Sequence, residues 1–317
     1  MLADLQQNRW QLLSELNLEN SIIKSVNTKV AYTDYRHSEL EVGIVGTTFD
    51  NESLEARVEL LHQNFWDWRG GLSVHYKQSD FTAVGAEAFT PPSETNSIAL
   101  AWIEERHFSD VLLQLGARIE RTEVTADKVR LPELELVGEH ESEEHGLHEH
   151  NEHEQEGITR NFAVKHVFTP VSLSAGIVWD FTDGYNLGLS LSHSERAPSA
   201  SELLSFGPHI GTGSYEVGAL FTLHDGHGEM PHFGLTQTDI VMEKANNIDL
   251  SFRKFKGDFG FIFNAFYNQI EDYYLEQATN LSQGDGHEHS GHDHVTEEAK
   301  ELPLLTITAQ TVNIQHS

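Results

Sequence analysis

The sequence has no cysteine, which removes disulfides and every thiolate metal site, and its three methionines leave no soft-ligand cluster for Cu(I). That absence leaves the compartment open, because an exported barrel needs no disulfide. Bases are scarce: 20 Lys and Arg stand against 50 acids, for a formal net charge of −30. Such a charge repels phosphate backbones, so no nucleic-acid partner is expected and a cationic ligand is favoured. No run reaches the about 18 consecutive apolar residues of a membrane helix, which excludes such a helix and leaves a membrane barrel open. There is no HExxH, no G-x-S-x-G and no phosphate-cradling glycine loop, so no enzyme is expected. Residues 1–9 lack the basic region, apolar core and small cleavage residues of an export signal, so the sequence as written is expected to carry none.

What is present is a period of two. Val171, Leu173, Ala175, Ile177, Trp179 and Phe181 alternate with Ser172, Ser174, Gly176 and Asp180. Leu54, Ala56, Val58 and Leu60 alternate in the same way with Glu55, Arg57 and Glu59. One face is apolar and the other suits water, the pattern of strands rather than amphipathic helices. About eleven such segments lie near 10–18, 22–35, 47–62, 68–80, 96–107, 111–126, 161–181, 185–194, 246–256, 258–276 and 304–314. Short turns, such as Phe108-Ser-Asp110 and Thr182-Asp-Gly184, interleave with long loops at about 36–46, 81–95, 127–160, 195–245 and 277–303. In an up-and-down antiparallel sheet this parity gathers every long loop at one end. Short turns at one end and long loops at the other are the signature of an outer-membrane barrel. The expected fold is therefore all-β, an antiparallel transmembrane β-barrel with aromatic strand ends at Trp66, Trp68, Trp179, Tyr185, Tyr267, Tyr273 and Tyr274. The rival is a soluble all-β protein whose apolar faces pack on one another.

Three of the long loops are rich in His and acid. The first holds His140, His145, His148, His150 and His153 among glutamates. The second holds His224, Asp225, His227 and His232, and the third His287, His289, His292, Asp293 and His294. Twelve of the 20 histidines thus fall in three loops that the parity argument puts together. Imidazole with carboxylate suits a borderline divalent transition metal, so zinc is the expected ion, with nickel as the alternative. Irregular, glycine-rich spacing argues for flexible loops that collect metal with interchangeable donors rather than for one rigid tetrahedral site. The bland reading is a solvated acidic insertion in which His is incidental. His209 joins the candidates because it shares the second loop. His37, His62, His75, His107, His166, His193 and His316 read as surface or lumen side chains.

Two stretches carry a resemblance. One runs from Tyr35-Arg-His-Ser-Glu-Leu40 to Phe49 and on through Glu55-Ala-Arg-Val-Glu-Leu60. The other runs through Arg196-Ala-Pro198, Glu202-Leu203, Gly207-Pro-His209 and Tyr215-Glu-Val-Gly218. Gly85-Ala-Glu-Ala-Phe-Thr-Pro91 and Gly116-Ala-Arg-Ile-Glu120 fit as well. Along essentially its whole length the chain resembles TonB-dependent outer-membrane receptors. With the His-rich loops it is most similar to the ZnuD-like zinc receptors of Gram-negative bacteria. The resemblance implies a barrel of about 22 strands, an N-terminal plug domain and a TonB-contacting box. Residues 1–317 are then expected to be a central part of that barrel, about 11 of the 22 strands, with the plug domain absent. It implies location in the outer membrane, contact with its lipid, coupling to TonB-ExbB-ExbD through the plug region, and uptake of a divalent metal ion. A haem or siderophore receptor of the same superfamily, a soluble metal-sequestering protein and a non-functional truncated remnant stand beside it as rivals.

Overall fold

The structure is a computed structural model that describes residues 2–41, 44–131, 136–138, 160–209, 211–224, 232–283 and 302–316. Six strands open the chain as a meander: β1 (Leu2–Asn17), β2 (Ile23–Glu41), β3 (Ile44–His62), β4 (Trp68–Gly85), β5 (Ser93–Phe108) and β6 (Val111–Leu131). After a short β7 (Leu136–Gly138) come β8 (Arg160–Phe168), β9 (Val171–Thr182) and β10 (Tyr185–Arg196). A five-residue helix, α1 (Ala200–Leu204), precedes β11 (Phe206–His209), β12 (Ser214–Val217), β13 (Phe221–His224) and β14 (His232–Leu235). The wall then resumes with β15 (Glu243–Lys254), β16 (Phe261–Gln283) and β17 (Leu302–His316). The main sheet runs β1-β2-β3-β4-β5-β6-β9-β10-β15-β16-β17-β12-β11, and β13 with β14 forms a separate two-stranded sheet.

The alternation in sequence becomes rungs in space. Val58, Val74, Leu100, Ile119 and Val171 pair in succession across β3, β4, β5, β6 and β9. Four of them are 38 to 49 % exposed. The next rung, Glu59, Ser73, Ala101, Arg118 and Ser172, is polar and faces the other way. Those positions, together with apolar residues such as Leu61 and Ile103, line a hollow of about 420 Å³ reaching from Arg57 to Ser194. Apolar side chains left in the open, with polar ones around an inner hollow, invert a soluble core and match a wall set in lipid. The soluble reading required the apolar faces to be internal, and the structure overturns it. Toward the long-loop end of β3 the outer face changes from Leu60, Val58 and Leu54 to Glu52 and Asp50, opposite Asp34 and Arg36. The stretch from Leu54 to His62 matches the about 9–11 residues that carry a tilted strand through the hydrocarbon layer.

Three sequence expectations change. The loop expected at 36–46 is largely strand, because β2 and β3 continue past the apolar band, held by Arg36 to Asp50 at 2.5 Å and Ser38 to Thr48 at 3.0 Å. The loop expected at 81–95 shrinks to the short link between β4 and β5. The segment expected as one strand over 161–181 is two, since β8 pairs with the upper half of β6 and β9 with the lower half. Pro170 lies at the break; it has no N–H to give the ladder, and its carbonyl accepts from the Glu120 amide at 3.0 Å.

Buried apolar packing sits at the long-loop end. Val124, Val129, Leu131, Val164 and Phe168 of the wall meet Leu203, Leu204, Val217, Phe221, Phe233 and Leu304. The described parts of 195–245 therefore form a folded cap against the inner wall. Tyr274, expected in an aromatic girdle, is buried beneath this cap and donates to the Val241 carbonyl at 2.7 Å. Burial pushes its phenol up to about 12. The short-turn end does gather aromatics: Trp179, Phe181, Tyr185 and Phe252 cluster, and Arg106 lies 4.5 Å over Phe108.

Candidate functional site

The cap begins where β10 ends. Ser199 caps α1, accepting from the Glu202 amide at 3.2 Å, while its own amide donates to the Glu202 carboxylate at 2.7 Å, a reciprocal capping box. Arg196 donates to both oxygens of Glu202, at 2.9 and 3.1 Å, and to Glu243 on β15 at 2.7 Å. These bonds hold the guanidinium above its ordinary pKa. Leu203 and Leu204, both fully buried, pin α1 to the core, so the Arg196-Ala-Pro198 and Glu202-Leu203 element acts as a clamp.

The stretch from Gly85 to Pro91 meets the cap directly. The Phe206 amide donates to the Phe89 carbonyl at 2.7 Å, and Thr90 and Ser205 hydroxyls lie 3.0 Å apart. Gly207 fits against Phe89, where an added Cβ would come within 2.7 Å of the Phe89 Cβ. His209 lies next to this seam, with its ring 5.1 Å from that of Phe89 and its Nδ1 2.5 Å from the Glu216 carboxylate. Glu216 and Glu87 are 6 and 4 % exposed, and Glu87 accepts from the Gly211 amide at 3.3 Å. In the sequence these two acids stand only inside the family-like stretches, with nothing to set them apart from the many other acids; their burial marks them.

His224 and His232 face one another across β13 and β14, with ring centres 5.5 Å apart. His209 is engaged with Glu216 instead, and among the described residues no group of three or more His, Asp or Glu side chains could hold a metal ion. His140, His145, His148, His150, His153, Asp225, His227, His287, His289, His292, Asp293 and His294 lie outside the described residues. The strands that lead toward them do not. Gly138 pairs with Leu281 and Leu136 with Gln283, so the His-rich sequences that start at 139 and 284 follow two paired strands of one rim. Leu281 packs on the same cluster that holds Phe221 and Phe233 of the His224 hairpin. The second loop, expected to be flexible, is folded on both sides of 225–231, because its apolar residues reach the wall.

An open apolar outer face, polar side chains on the inner rungs and a folded cap at the long-loop end define an outer-membrane barrel of the receptor class. The chain belongs to the TonB dependent receptor-like, beta-barrel family, whose model matches residues 3–315. Its fold is similar to that of the copper transporter OprC, with a TM-score of 0.64 and 13 % identity, covering 98 % of this chain and 43 % of OprC. It is similar to a double mutant of the Serratia marcescens hemophore receptor HasR in complex with its hemophore HasA and heme, with a TM-score of 0.65 and 10 % identity over 98 % of this chain and 45 % of HasR. It is similar as well to the FrpB iron transporter from Neisseria meningitidis, with a TM-score of 0.54 and 10 % identity over 90 % of this chain and 43 % of FrpB. The chain spans less than half the length of these solved structures. Receptors of this family are transporters rather than enzymes.

Proposed function

We propose that the chain forms the metal-collecting mouth of an outer-membrane receptor that takes up zinc, with nickel as the alternative ion, through TonB-ExbB-ExbD. The His and acid donors collect the ion, the polar inner rungs pass it along, and the strong negative charge raises its local concentration. What supports this reading is where the described strands run: the hairpin carrying His224 and His232 packs on the same apolar cluster as Leu281 of β16, the strand that leads to 284, and β7, which leads to 139, pairs with β16. Calorimetry with Zn²⁺ and Ni²⁺ tests it, on the chain refolded in detergent and on a variant with all three His loops replaced by Gly and Ser. A zinc-preferring signal lost in the variant supports the reading; equal binding by both chains reduces the loops to solvated insertions.

A haem reading has one observation of its own. His209 stands against the Phe89 ring with Nδ1 turned to Glu216, an arrangement that orients the imidazole and directs ligation to Nε2. Hemin titration distinguishes the two, since a Soret shift abolished by His209→Ala belongs to haem alone.

A further inference from the structure

The hairpin of β13 and β14 has two unlike faces. Phe221 and Phe233 are buried in the core, with their rings 4.7 and 5.5 Å from Phe206. The alternate positions, Thr222 and His224 on one strand and His232 and Gly234 on the other, turn away from that core. His232 is exposed and His224 half-buried, so a hydrated ion in solution reaches both.

Three features fix this face. His224 and His232 are directly opposed in the ladder, with ring planes inclined by 30°. The hydroxyls of Thr222 and Thr236 lie 2.7 Å apart, and Thr236 also donates to the Ala219 carbonyl at 3.0 Å, which closes the base of the hairpin. Gly234 leaves room for the His224 ring, since a Cβ there would stand 2.7 Å from its Nε2. The ring separation suits a shared ion. With zinc–nitrogen bonds of about 2.0–2.1 Å, each ring centre lies about 3.2 Å from the metal, and two rings at a tetrahedral to trigonal angle are about 5.1–5.5 Å apart. The observed 5.5 Å falls at that distance.

We propose that His224 and His232 form a two-imidazole chelate for a single borderline divalent transition-metal ion, with water in the remaining positions. The inference rests on the metal-collecting reading and deepens it, giving the mouth one defined station among interchangeable donors. Two neutral imidazoles select zinc, nickel or copper over magnesium and calcium, and two protein ligands alone leave the ion free to exchange onward.

The test uses the full chain refolded in detergent, with 139–156 and 284–294 replaced by Gly and Ser and with His209→Gln and His227→Gln, so that the other candidate histidines are removed. Zn²⁺ is titrated by calorimetry and Cu²⁺ by electron paramagnetic resonance, which counts coordinated nitrogens. One bound Zn²⁺ and two imidazole nitrogens on Cu²⁺ are expected. His224→Gln and His232→Gln should each weaken Zn²⁺ at least about tenfold, and the double variant should be little worse than either. Amide exchange at Phe221 and Phe233 checks that each variant keeps its hairpin. Affinity unmoved by either substitution, or losses that simply add, overturns the chelate while the collecting reading stands. Failure of the chain with all three loops intact to bind Zn²⁺ overturns both.

Discussion

Arg196 holds both carboxylate oxygens of Glu202, six residues further along, and the same guanidinium bridges to Glu243 across the start of the cap. Burial pushes the Glu202 carboxyl up, but the bonds from Arg196 and Ser199 outweigh it and leave the group below its ordinary value. A planar two-pronged donor is required here, so Arg196→Lys should cost about 1–2 kcal/mol of cap stability despite keeping the charge. Hydrogen exchange at the Leu203 and Val217 amides reads this, and protection equal to the parent chain would refute the clamp.

Acid should loosen the wall beneath the cap. Burial holds the His166 imidazole below its ordinary pKa, so the unfolded chain takes up its proton at higher pH than the folded one. The contribution of this histidine is complete above about pH 6.5 and is lost as pH falls through that value toward the folded pKa. His166→Phe should flatten the pH dependence of unfolding as pH falls below about 6.5. A slope unchanged by the substitution would assign it to other groups.

The two faces of the wall predict unequal tolerance of charge. Leu100→Arg puts a guanidinium on the outer face, on the rung of Val58 midway along the apolar stretch, and should cost about 2–4 kcal/mol on refolding into vesicles. Ser73→Arg, on the polar rung beside Glu59, should cost about 1 kcal/mol or less. Similar penalties at both positions would contradict the assignment of lipid and lumen faces.

Two glycines of the cap should respond differently to the same methyl group. An added Cβ at Gly218 would meet the Leu203 carbonyl at 2.4 Å, a backbone atom that cannot move without shifting α1. Gly218→Ala should therefore destabilise the cap by about 1–3 kcal/mol. At Gly234 the clash is with the tip of the His224 side chain, so Gly234→Ala should preserve the hairpin and displace the imidazole from its place over residue 234, changing its distance to His232. Thermal unfolding checks the first, and nuclear Overhauser contacts between the two imidazoles check the second.

Much of the wall was legible in the sequence, because Leu54, Val58, Val171 and Leu173 meet lipid while Arg57, Glu59 and Ser172 meet water, and that contrast repeats every second residue. The strand ends were not legible: beyond Leu54 both faces are wet, so Asp50 and Glu52 alternate with nothing that marks a strand. The cap was legible only in hindsight. Leu203, Leu204, Phe206, Phe221 and Phe233 are too apolar for a solvated loop, but their short, irregular spacing fits no single period. The histidines were visible as composition, whereas the opposition of His224 and His232 depends on a register that sequence alone does not supply.

β12 runs parallel to β17 and occupies its edge from Leu304 to Thr306. Any further strand that zips onto β17 there finds ladder groups only from Ile307 downward. The parapet at that point is made by a returning segment of the cap rather than by the next stave, leaving a crenel in the battlement where cap and wall are fastened together.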